Sequence, residues 1–63
     1  MINQEELIDY YYYGWELSKS EDKFPDWFFS ESLKYACLLG YCDQDLGVVK
    51  EKEEILKELG IVK

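Results

Sequence analysis

A chain of 63 residues with seven cations, fourteen acids and no histidine or arginine carries a formal charge of −7. Without imidazole the commonest metal ligand and the neutral-pH acid-base are missing, and without guanidinium there is no planar fork for phosphate. A nucleic-acid reader would need a basic stripe, and this chain has the opposite sign.

One domain is expected at this length. A domain of this size buries only about 60% of its unfolded surface. Six Tyr, three Phe and two Trp are more aromatic area than so thin a core hides, so part of it is expected to face a partner. The N-terminal stretch Met1-Ile2-Asn3-Gln4-Glu5-Glu6 has no signal-peptide pattern. The longest apolar run, Tyr35 to Cys42, is far short of a membrane span. A soluble, cytoplasmic, non-membrane protein is expected.

The first helix is predicted over about residues 4–19, with Asn3 as N-cap, Glu6 as its capping-box partner and acids in the first turn. Leu7, Tyr10, Tyr11, Gly14 and Leu17 share one face, and Ile8, Tyr12 and Trp15 a neighbouring one. Tyr10 to Tyr13 go round the whole circumference, so one or two must be exposed. A strand competes here, because Tyr and Trp favour sheets, but the capping signals favour helix.

A polar connection, Ser18 to Lys23, precedes Phe24-Pro25-Asp26. Pro25 biases Phe24 away from helical angles, and Asp26 reads as the N-cap of a second helix over about 26–39 ending at Gly40. Phe29, Leu33, Ala36 and Cys37 trace its buried stripe, and Trp27 or Phe28 is expected at the surface. The third helix, about 46–59, is capped by Asp43 or Asp45 and closed by Gly60 and Ile61. Val48, Ile55, Leu59 and Val62 form its apolar line, with Val49 and Leu56 beside it. The expected fold is all-α, a compact bundle of three short helices.

Charge and aromatics are placed together. Residues 48–63 hold four Lys and four Glu, whereas residues 1–47 hold three Lys against ten acids and every aromatic. Asp43-x-Asp45 with Glu51 and Glu54 suggests a calcium loop, but Val48 stands where its glycine belongs. Cys37 and Cys42 lack the further soft ligands of a zinc site, and Cys37 reads as a small core residue. Pairs such as Glu5/Asp9 and Glu54/Glu58 fall on polar faces, which favours solvated surface over acid-base chemistry. No metal or cofactor is expected, and no enzymatic activity.

The remaining feature is an acidic-aromatic surface. Tyr and Trp supply large rigid contact area with a polar handle, and acids steer toward a basic partner. The candidate partner-binding residues are Asp9, Tyr10, Tyr11, Tyr12, Tyr13, Trp15, Glu16, Glu21, Asp22, Asp26 and Trp27. The acids are assigned the on-rate, and Trp15 or Trp27 the residence time. The expected function is a non-catalytic inhibitor or adaptor that binds a basic protein surface, in its sharpest form a nucleic-acid mimic on a nuclease or DNA-binding protein. In brevity and acidity the chain resembles phage and mobile-element accessory proteins in style, without a family motif. The alternative is a structural helical subunit that forms a homo-oligomer or joins a larger assembly.

Overall fold

The structure is a computed structural model describing residues 3–60, and it is all-α: α1 (Gln4–Lys19), α2 (Glu31–Leu46) and α3 (Lys52–Glu58). The first helix starts where the cap predicts. The Asn3 side chain accepts from the Glu5 amide at 2.8 Å, and Glu5 and Glu6 sit at the positive end of the dipole. The first segment is therefore helix and not strand.

The second helix begins four residues later than Asp26 suggested. Ser30 is its N-cap, accepting from the Leu33 amide at 3.2 Å. Phe29, expected on the buried stripe, precedes this turn and is 90% exposed. Gly40 does not end the helix. It lies buried in mid-helix, and α2 runs on to Gly47, a left-handed residue at φ 76°. The Gly47 amide donates to the Gln44 carbonyl at 3.0 Å and the Val48 amide to that of Asp43 at 2.7 Å, which is a Schellman ending. Asp43 and Asp45 thus belong to the last turns of α2 and cap nothing in α3. The third helix shrinks to seven residues, because 48–51 form a connection and Val48 and Val49 are exposed within it. Gly60 closes it with φ 78°, its amide 3.1 Å from the Lys57 carbonyl. Ile61 and Val62 lie outside the described residues.

The ending of α1 repeats that geometry without glycine. Glu21 takes φ 59°, its amide donating to Ser18 at 3.1 Å while that of Asp22 reaches Leu17 at 2.9 Å. A side chain in this region costs about 1 kcal/mol or more.

α1 and α2 run in the same direction. Leu7 joins Leu33 and Ala36 near their starts, and the Ser18 hydroxyl donates to Gln44 at 2.9 Å near their ends. Between these points the backbones touch. A Cβ added to Gly14 would lie 1.9 Å from the Cys37 carbonyl oxygen, and one on Gly40 would lie 1.8 Å from that of Tyr11. A parallel pair needs a return from the end of one helix to the start of the next, and residues 20–30 supply it, with Trp27 against Tyr13 and Phe28 against Tyr10 of α1. α3 closes the other side, with Ile55 and Leu56 buried against Ile8 and Tyr11.

Candidate functional site

Helical spacing decides which tyrosine goes inward. Tyr11 follows Leu7 by four residues and precedes Gly14 by three, so it lies on the α2-facing stripe and is 0% exposed. Its hydroxyl donates to Asp43 Oδ2 at 2.6 Å and accepts from the Lys50 amide at 3.1 Å. Lys50 Nζ reaches the same Oδ2 at 2.6 Å. Asp43 is 4% exposed and sits in the last turns of α2, where the helix dipole disfavours an acid. Lys50 and Tyr11 offset that cost. Burial first, and then the Asp43 hydrogen bond, push the Tyr11 phenol up to about 12.

Trp15 is also structural. It packs against the cluster of Ile8, Tyr11, Ile55 and Leu56, and its indole donates to the Val48 carbonyl at 3.0 Å. Lys19 Nζ sits 5.7 Å above its ring. Tyr11 therefore leaves the predicted partner surface, and half-buried Trp15 shares with it the holding of the 48–50 connection on α1.

What remains faces outward. Asp9, Tyr12, Tyr13 and Glu16 share the exposed face of α1 at helical spacing. Tyr10 lies half-buried at its edge, against the returning connection. There Tyr10 meets Tyr13 edge to face at 6.2 Å and Phe28 at 6.0 Å. Trp27 lies stacked on Phe28 at 5.5 Å and 19°, and meets Tyr13 at 6.4 Å and 49°. Phe24 joins Phe28 to Tyr41, whose hydroxyl donates to the Asp22 carbonyl at 2.7 Å and ties down the start of the connection.

Asp9, Tyr10, Tyr13 and Trp27 line an apolar cleft of about 350 Å³. Tyr12 falls outside it, in a second cleft with Glu5, Ile8, Asp9 and Lys52. Glu21, Asp22 and Asp26 are exposed along the return. None of Asp9, Glu16, Glu21, Asp22 and Asp26 is ion-paired to another described residue, whereas Asp43 is.

Phe24, Phe28 and Tyr41, which brace the cleft, were not among the sequence candidates. Neither were Tyr35, Leu38, Cys42 and Leu46, which are exposed along the outer face of α2. Their spacing is helical, but only if the helix passes Gly40. Cys37, buried under α1, has its thiol pushed up to about 11 by that burial. Neither Cys37 nor Tyr11 is an activated nucleophile, because both are held in their protonated forms. Among the described residues no group of His, Cys, Asp and Glu is placed to hold a metal ion, and no helix is long and apolar enough to cross a membrane. Comparison with protein-family models, curated proteins and solved structures finds no match to this chain.

Proposed function

We propose that this chain is an interaction protein without catalytic activity, an inhibitor or adaptor that binds a basic protein surface through the outer face of α1 and the 20–30 return. The observation that carries this is the joining of Asp9, Tyr10, Tyr13 and Trp27 in one cleft, with Trp27 52% and Tyr13 40% exposed. Exposed aromatics braced from behind are the usual anchors of an interface. The exposed acids of this surface give a field that attracts a basic partner and repels nucleic acid. A nucleic-acid-binding cleft is the basic surface that an acidic mimic of the phage or mobile-element kind would occupy. The test is capture by the immobilised chain, with bound proteins identified by mass spectrometry. A basic protein that is released by salt and lost with Tyr13→Ala/Trp27→Ala supports the function. Salt-independent capture, or capture unaffected by the two substitutions, contradicts it.

A self-associating helical subunit is the second function, favoured by the outer face of α2. Tyr35, Leu38, Cys42 and Leu46 stand at steps of three, four and four, all exposed, which is the spacing of a helix-packing seam. Sedimentation velocity at micromolar concentration separates the two. A dimer abolished by Leu38→Glu/Leu46→Glu supports self-association, and a wild-type monomer removes it.

A further inference from the structure

We infer that the cleft between α1 and the return is a receptor for one arginine side chain of the partner, with Asp9 as its counter-ion and the Trp27 ring as its platform. This rests on the interaction surface proposed above and specifies what enters it.

The rings are arranged for a flat cation. Trp27 is stacked on Phe28 at 19°, and it lines the cleft beside Tyr10, Tyr13 and Asp9. Tyr13 stands 6.4 Å away and opens from it at 49°, while Tyr10 turns its plane across that of Tyr13 at 87°. The result is a slot with aromatic walls and a carboxylate at its rim. An aromatic face attracts a cation electrostatically. A guanidinium is planar and weakly hydrated, and it pairs with a carboxylate through two parallel hydrogen bonds. Trp27 and Asp9 line the same cleft, so a guanidinium there is offered a ring and a carboxylate together. A compact, strongly hydrated ammonium uses such an open slot poorly.

Two further observations favour an occupant from another protein. The other indole, Trp15, already has a cation of its own chain 5.7 Å above it. Among the described residues, none of the three cleft rings has one. The chain also contains no arginine, so neither its own side chains nor a second copy can fill the slot with a guanidinium.

The experiment is a titration of the 15N-labelled full chain with N-acetylarginine methylamide and with the neutral citrulline counterpart. It is followed by the two indole N–H signals, assigned with Trp27→Phe. The arginine probe is expected to move the Trp27 signal and leave Trp15 in place, with the citrulline probe at least about tenfold weaker. Asp9→Asn, an exposed substitution outside the core, is expected to bring arginine close to the citrulline value. Equal binding of both probes, equal movement of both indoles, or no movement by arginine overturns the inference. The titration needs no partner, so its failure leaves salt-dependent capture by the α1 face standing. Failure of capture with a positive titration removes the function and leaves the slot.

Discussion

The Tyr11 hydroxyl donates to the Asp43 carboxylate at 2.6 Å across 32 residues of chain, with both side chains buried. This bond ties the middle of α1 to the last turns of α2. Through the Lys50 amide it also fixes the connection from which α3 starts. One of four adjacent tyrosines is thus a structural lock, and its neighbours are left for the surface.

Tyr11→Phe keeps the ring in the core but leaves the Lys50 amide without its acceptor, and is expected to cost about 1–3 kcal/mol. Asp43→Ala strands Lys50 and the Tyr11 hydroxyl together and is expected to cost more, about 3–5 kcal/mol. Urea denaturation of both single variants and the double variant gives the coupling. Strictly additive losses would contradict a shared network.

Alanine normally stabilises a helix over glycine by about 1 kcal/mol. At Gly14 and Gly40 the sign is expected to reverse, because the added methyl meets backbone carbonyls and not movable side chains. Each substitution forces the two helices apart and is expected to lose about 2 kcal/mol or more. Thermal unfolding followed by circular dichroism reads this, and an unchanged midpoint would contradict the backbone contact.

Glu21 gives the opposite expectation. It holds φ 59° at the end of α1, so Glu21→Gly relieves strain and is expected to gain about 0.5–1 kcal/mol after the extra freedom of the unfolded glycine. Chemical denaturation measures the gain. A loss would place a stabilising contact on the Glu21 side chain.

Alkaline pH is expected to unfold the chain cooperatively. Tyr11 ionises near 10.0 when free and is pushed up to about 12 in the fold. Cys37 moves from 9.0 to about 11. As pH rises past the free values the unfolded chain loses these protons first, so stability is full below 9.0 and falls until about 12. Each group contributes about 2–3 kcal/mol to that loss at most. Tyr11→Phe and Cys37→Ala are expected to flatten their own parts of the profile, read as the urea midpoint against pH. At neutral pH a thiol reagent is expected to reach exposed Cys42 before buried Cys37, which reacts only as the chain opens.

The sequence reveals α1 almost completely, since its cap and acidic first turn are local features. The boundaries of α2 and α3 were hidden for a tertiary reason. Glycine serves both as a left-handed cap, as at Gly47, and as a point of backbone contact, as at Gly40. Only the facing Tyr11 carbonyl tells the two apart. Reading Gly40 as a stop also hid the outer stripe of α2. The acidic-aromatic surface was legible as composition, and Asp9, Tyr10, Tyr13 and Trp27 do meet. Helical spacing alone put Tyr11 on the stripe of Leu7 and Gly14, but the sequence could not choose between Trp15 and Trp27, because Trp15 is set by the Val48 carbonyl and Trp27 by the path of the return.

Capture of a basic protein by four forms of the chain separates surface from scaffold. Wild type and Tyr35→Ser/Leu38→Ser are expected to retain a basic partner in low salt and release it at about 1 M salt, where charges are screened beyond about 3 Å. Asp9→Asn and Tyr13→Ala/Trp27→Ala, each first checked by circular dichroism to be folded, are expected to lose it. Retention by Tyr13→Ala/Trp27→Ala together with loss in the α2 variant would contradict the assignment of function to the α1 face.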